Sequence, residues 1–123
     1  MIHIKIPCTP PSVNHYYGNR VMGKRVIRYI TPKGRMFKNI VEKSCRLESP
    51  FPKGVPLSVT IELHFSDRRK RDIDNYDKAT LDALKGIAYE DDSQIIERTG
   101  RKYSHPEAEF SWIDIYIKEF RGE

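Results

Sequence analysis

Acid is missing from the first third of this chain. Residues 1–41 hold eight lysines and arginines (Lys5, Arg20, Lys24, Arg25, Arg28, Lys33, Arg35 and Lys38) and no aspartate or glutamate; the first acid is Glu42. The rest carries 14 basic and 17 acidic side chains, so the net charge of +5 conceals a segment of +8 followed by one of −3. Positive charge concentrated in this way points to a polyanionic partner, although a solvated basic surface fits the charge alone equally well. Cysteine is scarce. Cys8 and Cys45 have no Cys-x-x-Cys spacing, which excludes a disulfide framework and leaves two free, buried thiols as the expectation. The four histidines (His3, His15, His64, His105) match no zinc-ligand spacing. No apolar run approaches the ~20 residues of a membrane span. The alternating start, Met1-Ile2-His3-Ile4-Lys5-Ile6, lacks the apolar core of a signal peptide. The expectation is a cytoplasmic protein with no membrane partner. A chain of 123 residues makes one domain, residues 1–123, that buries about two-thirds of its unfolded surface without a disulfide or metal staple.

What is present reads as alternating short elements. Ile2–Ile6 alternates as a strand, ended by Pro7, Pro10 and Pro11. Residues 13–20 read as a polar, tyrosine-bearing loop, and Val21–Ile30 as a hairpin around Met22-Gly23-Lys24. Thr31-Pro32 is an N-cap followed by proline at the first helical position, and the apolar spacing carries a helix to about Glu48. Leu57, Val59, Ile61, Leu63 and Phe65 alternate with polar residues, the cleanest strand in the chain. Ile73, Tyr76, Thr80, Leu84 and Ile87 space as a helix ending near Gly86. Ile95–Tyr103 and Phe110–Ile117 read as two more strands. This order predicts an α+β fold, a mostly antiparallel mixed sheet with two helices packed on it.

Seven of the eight aspartates lie between residues 67 and 92, and the run Arg68-Arg69-Lys70-Arg71 sits among them. Carboxylates gathered so closely repel one another unless a cation lies between them. The cation is either the neighbouring basic side chains or a divalent metal, and a metal beside a basic strip is what phosphodiester hydrolysis uses. If residues 72–74 are extended, Asp72 and Asp74 point the same way, roughly 6.5–7 Å apart. A third carboxylate is expected from Asp91-Asp92. A helix over 75–86 carries the chain about 18 Å from Asp74, so either residues 87–92 run back along it or the carboxylate comes from a second subunit. Lys78, four residues after Asp74, suits a role in orienting water or neutralising charge on the phosphate. Asp77 adds negative charge beside it. Each feature also has a plain structural reading: Asp74 as a helix cap, Lys78 paired with Asp74 or Asp82, residues 68–71 as a solvated loop, Asp91-Asp92 as a turn. In Pro10–Tyr17, Asn14 and the tyrosines either contact nucleic acid or pack in the fold. A nuclease and a non-catalytic DNA- or RNA-binding domain are both consistent with these residues.

Two stretches together resemble the RusA family of Holliday junction resolvases: Pro10-Pro11-Ser12-Val13-Asn14-His15-Tyr16-Tyr17, continuing through 34–41, and Asp67–Asn75 with Lys78, Leu81–Leu84 and Asp91–Ile95. The likeness spans residue 7 to about 117. It implies a small bacterial or prophage Mg²⁺-dependent endodeoxyribonuclease, with Mn²⁺ as a substitute, acting in DNA recombination and repair. Asp72, Asp74 and Asp92 would be the metal-binding catalytic carboxylates, with Asp91 the alternative to Asp92 one residue away, and Lys78 the catalytic lysine. Asn14, Tyr17 and Arg68, Arg69, Lys70 and Arg71 would engage DNA. The partner would be a four-way junction, nicked in pairs by a homodimer whose two-fold axis matches that of the junction. The alternatives are a branched-DNA binder without catalysis and a nuclease selective for flaps or forks.

Overall fold

The computed structural model describes residues 1–45 and 47–122. Four strands make the main sheet: β1 (Ile2–Ile6), β4 (Leu57–Phe65), β5 (Ile95–Ser104) and β6 (Trp112–Glu119), in the order β1-β6-β4-β5. β1 and β4 both pair antiparallel with β6, which returns beside them after β5. β4 and β5 are parallel, because α3 (Ile73–Leu84) carries the chain from the end of one to the start of the other. The sheet is therefore mixed and mostly antiparallel, within an α+β fold. A separate two-stranded ribbon, β2 (Tyr17–Met22) with β3 (Arg25–Ile30), turns on Gly23 at φ 63°, a conformation glycine adopts without strain.

Period-two alternation decides which way each sheet residue faces. Val59, Ile61, Leu63 and Phe65 of β4 and Ile113, Ile115 and Ile117 of β6 turn inward to meet Phe37 and Val41 of α2 (Pro32–Ser44) and Ala79, Ala83 and Leu84 of α3. His3, Lys5, Glu62, His64, Trp112 and Asp114 turn to the other face. Among the described residues no helix is long and apolar enough to cross a membrane.

Three local expectations change. The segment read as a polar loop contains a four-residue helix, α1 (Val13–Tyr16), and then the start of β2. So short a helix has no independent stability. It is held by Tyr16, fully buried, and by Thr31, whose hydroxyl donates to the Tyr16 carbonyl at 3.1 Å while accepting from the Gly34 amide at 3.1 Å. Gly34 is required there, since a β-carbon would stand 2.6 Å from the Tyr16 carbonyl oxygen. Second, α2 ends at Ser44 rather than near Glu48; the Ser44 hydroxyl bonds back to the Ile40 carbonyl and Cys45 is extended. Arg46, within the expected span, lies outside the described residues. Third, Cys8 and Cys45 are free but half-buried, not enclosed.

Candidate active site

β4 delivers the chain into the tetrabasic loop, and that loop is closed by its own charges. Arg71 donates two hydrogen bonds to Asp67, at 2.6 and 3.0 Å, and its guanidinium lies 4.1 Å from the centre of the Phe65 ring. The Arg69 amide also donates to Asp67, at 3.0 Å. The Arg71 hydrogen bonds, and then the Arg69 amide, hold the Asp67 carboxyl well below the usual carboxylate range. Arg71 is half-buried and occupied, whereas Arg68, Arg69 and Lys70 project into solvent. The Lys102 ammonium donates to the Arg71 carbonyl and ties the loop to β5.

The next carboxylates are in the opposite condition. Asp72 is the N-cap residue of α3, with extended backbone (φ −82°, ψ 125°), yet its side chain makes no cap hydrogen bond. Asp74 lies in the first turn, its side chain 89% exposed, with Arg98 of β5 at 3.6 Å. The helix thus begins at Ile73, so Asp72 and Asp74 are related by the first helical turn and not by an extended strand. Both are exposed at the positive end of a helix, which favours anionic side chains there. Two hard oxygen donors, neither consumed by a cap, fit a divalent cation.

Asp77 faces inward, not toward Lys78. It is 1% exposed, one of its oxygens has no hydrogen-bond partner, and it packs beneath Gly100 of β5. Burial pushes its carboxyl up to about 6, against the pull of Arg98 and with a smaller push from Asp74. Lys78 pairs with Asp82, one turn on, at 3.6 Å, and Tyr17 donates to the same carboxylate at 2.6 Å. Arg28 lies 3.7 Å from the centre of the Tyr17 ring. Burial, with the hydrogen bond to Asp82, holds the Tyr17 hydroxyl protonated as a donor. Lys38 reaches from α2 to the Ala83 and Lys85 carbonyls, at 3.1 and 3.0 Å, satisfying the C-terminal end of α3. Asn14 is exposed on α1.

Asp91 and Asp92 lie at that far end. The Gln94 side chain accepts from the Asp91 amide at 2.9 Å and the Ser93 hydroxyl donates to the Asp91 carboxylate at 3.0 Å, so Asp91 is used in closing the turn. Asp92 opens a 3₁₀ turn (Asp92–Gln94), is half-exposed, and has the Lys85 ammonium 4.0 Å away as its one ion pair among the described residues. The 12 residues of α3, about 18 Å of helix, separate it from Asp74. Asp72 and Asp74 thus stand two residues apart at the head of α3, and Asp92 follows its far end. A cleft of about 630 Å³ lined by Met1, Phe51, Glu97 and Phe120 contains none of these residues.

The family model for Endodeoxyribonuclease RusA matches residues 7–113, which includes every residue of this arrangement. The chain belongs to the RusA family. Its relatives include a crossover junction endodeoxyribonuclease of Enterobacteria phage 82, 34% identical and covering 98% of this chain and 97% of the phage protein. The RusA protein of Shigella sonnei is 35% identical, over 93% of this chain and 92% of its own. That of Escherichia coli K12 is 34% identical over the same shares. Within this RusA-family chain, sequence reasoning passed over Arg98, Lys38 and the Tyr17–Asp82 bond. The Lys78–Asp82 spacing was legible; Arg98 and Lys38 come from other elements and carry no local signal.

Proposed function

We propose that this protein is a magnesium-dependent endodeoxyribonuclease that resolves four-way DNA junctions by paired, symmetric nicks in recombination and repair. One observation carries the reading: the head of α3 offers two exposed, uncapped carboxylates, Asp72 and Asp74, directly after three outward basic side chains. It is supported by relatives named crossover junction endodeoxyribonucleases that cover more than nine-tenths of the chain.

Asp72 and Asp74 would hold Mg²⁺, and the same oxygen donors accept Mn²⁺. The metal supplies Lewis acidity and a bound water of lowered pKa. Arg68, Arg69 and Lys70 hold the phosphates that flank the cut, and Asn14 contacts the backbone from α1. The β2–β3 ribbon, bearing Arg20, Lys24, Arg25 and Arg28, extends the same positive surface. Lys78 is half-exposed at the end of a loose 3.6 Å pair, so an incoming phosphate draws its ammonium from Asp82. Tyr17 holds Asp82, and through it the resting position of Lys78, while its own edge borders the ribbon.

The third carboxylate is Asp92, since Asp91 is occupied by Ser93 and Gln94. Because α3 separates Asp92 from Asp74 within one chain, the site takes Asp92 from the second copy of a two-fold homodimer. The dimer is then needed for each cut as well as for their symmetry.

A labelled synthetic four-way junction in Mg²⁺, beside a linear duplex and the Asp74→Asn variant, tests the reading. Paired nicks from the wild type alone, sparing the duplex, are expected. Tight junction binding with no nicks from either protein would leave a DNA-binding domain whose aspartates are structural.

A further inference from the structure

The uncovered face of the sheet holds a second group of metal-type donors, on the side away from α3. Glu62 and His64 on β4 and Asp114 on β6 each offer a donor atom, and the three atoms lie within 4.8 Å of one another. Glu62 and Asp114 are direct cross-strand partners. Like charges facing each other in this way are destabilising unless something cationic sits with them.

The imidazole identifies what is missing. His64 Nδ1 and His105 Nε2 are 2.9 Å apart, so one must donate and the other accept. His64 Nε2 is buried and has no hydrogen-bond partner; Asp114 Oδ2 is 3.3 Å away, within ion-pair distance but outside hydrogen-bond geometry. A protonated Nε2 would bury an N–H with no acceptor, whereas the Nδ1–H tautomer donates to His105 and leaves only a lone pair at Nε2. On that tautomer the Nε2 lone pair lies 3.3 Å from Asp114 Oδ2, within the group of donor atoms that includes Glu62. Lone pair and carboxylates repel unless a cation lies among them. A metal-bound histidine characteristically donates its other ring N–H to a neighbouring group, the role that His105, 2.9 Å from Nδ1, is placed to receive.

The carboxylate beside it is also oriented from outside. Asp114 Oδ2 accepts from the Trp112 indole at 3.1 Å, and Oδ1 is 2.7 Å from His3 Nε2. The 64 ring is clamped between aromatic neighbours, stacked on Trp112 with centroids 4.4 Å apart and on Tyr103 at 4.9 Å. Two cations already border the group: Arg101, half-exposed, whose guanidinium is 3.5 Å from Glu62, and Lys5, the cross-strand partner of Asp114, whose ammonium lies 5.6 Å from the centre of the Trp112 ring. Among the described residues neither donates a hydrogen bond to His64 Nε2.

We propose that Glu62, His64 and Asp114 form a divalent transition-metal site, with His3, Trp112 and His105 as the groups that orient the ligands. One nitrogen and two carboxylate donors suit Zn²⁺, Co²⁺ or Mn²⁺, and the nitrogen disfavours Mg²⁺. The ion pins β4 to β6 on the face that no helix covers. It is separate from the Asp72–Asp74 site and independent of what that site does.

The test uses the full chain stripped of metal with a chelator and titrated with Co²⁺ alone, followed by visible absorption and calorimetry. With a large excess of Mg²⁺ filling the carboxylates at the head of α3, one Co²⁺ per chain is expected, with a ligand-field band that survives the Asp74→Asn substitution. His64→Gln and Glu62→Gln should each weaken binding by at least about 10-fold. Should either variant misfold, the wild type still decides: on adding Zn²⁺, the Nε2 nitrogen signal of His64 should shift in an imidazole ¹⁵N spectrum while that of His15 stays in place. Absence of stoichiometric Co²⁺ binding, displacement by Mg²⁺, equal affinity in the folded variants, or an unmoved His64 signal would each overturn the proposal.

Discussion

The loop 66–71 and the helix start 72–78 are contiguous and similar in composition, yet their charges are in opposite states. In the loop, Asp67 and Arg71 neutralise each other through two hydrogen bonds, capped by the Phe65 ring. At the helix start, Asp72 and Asp74 stand in solvent with no cap bond, and one turn later Asp77 is buried with an oxygen unpaired. Charge locked in hydrogen bonds builds structure, while charge left in solvent or loosely paired, as Asp74 is with Arg98 at 3.6 Å, is available for a ligand. The difference arises from geometry: Arg71 folds back over Phe65 to reach Asp67, whereas the helix directs Asp72 and Asp74 outward.

The comparison breaks most visibly in catalysis. Asp74→Asn and Asp92→Asn should each lower junction nicking by at least about 100-fold, since even outer-shell groups around a metal cost 10–100-fold. Neither should unfold the protein, because both positions are exposed. If Asp92 is supplied by a second copy as proposed, mixing the two inactive variants should restore nicking, because a mixed dimer would contain one site with an intact Asp74 and an intact partner Asp92. Failure of the mixture to recover would place all ligands in one chain.

The next effects are on stability. Gly100→Ala would drive a methyl group into the Asp77 carboxylate and, at 2.9 Å, into Ile73. Overpacking of this kind should cost about 2–3 kcal/mol in urea unfolding, and Asp77→Ala in the same chain should recover part of it. For Asp77 itself, the folded-state carboxyl titrates at about 6 and the unfolded one near its ordinary value of 3.8. The folded state therefore holds the proton more tightly, so this group favours folding at low pH and loses that contribution as pH rises from about 4 to about 6. A shift of this size corresponds to about 3 kcal/mol. Asp77→Asn should remove that pH-dependent component, read as the difference between wild-type and variant unfolding curves across the interval.

The smallest effects sharpen the contrast within the basic run. Arg68→Ala should reduce the slope of log affinity against log salt by about 0.9 and leave the melting temperature unchanged. Arg71→Ala should leave that slope nearly unchanged and cost about 1 kcal/mol of stability, because its guanidinium is engaged with Asp67 and Phe65. Equal salt slopes for the two variants would erase the distinction between occupied and open charge.

Local regularities were enough for much of this molecule. The alternation of residues 57–65, the Thr31-Pro32 helix start and the 3.6-residue spacing after Ile73 each depend on a few neighbouring residues, and each element formed where its pattern indicated. The concentration of aspartates and its adjacency to Arg68–Lys70 were likewise visible, because a helix start keeps consecutive side chains together. What the one-dimensional pattern could not decide was which charges cancel and which distant residues meet. The parallel pairing of β4 with β5 is set by packing α3 against the sheet, and it brings Arg98 to Asp74 and Gly100 over Asp77. The histidines that match no metal spacing along the chain illustrate this best. His3, His64 and His105 come from a sheet edge, its centre and a loop; strand register brings His3 and His64 to Asp114, and the loop lays His105 against His64. Periodicity is a property of neighbours in sequence, whereas sites are built from neighbours in space, and the tertiary fold alone relates the two.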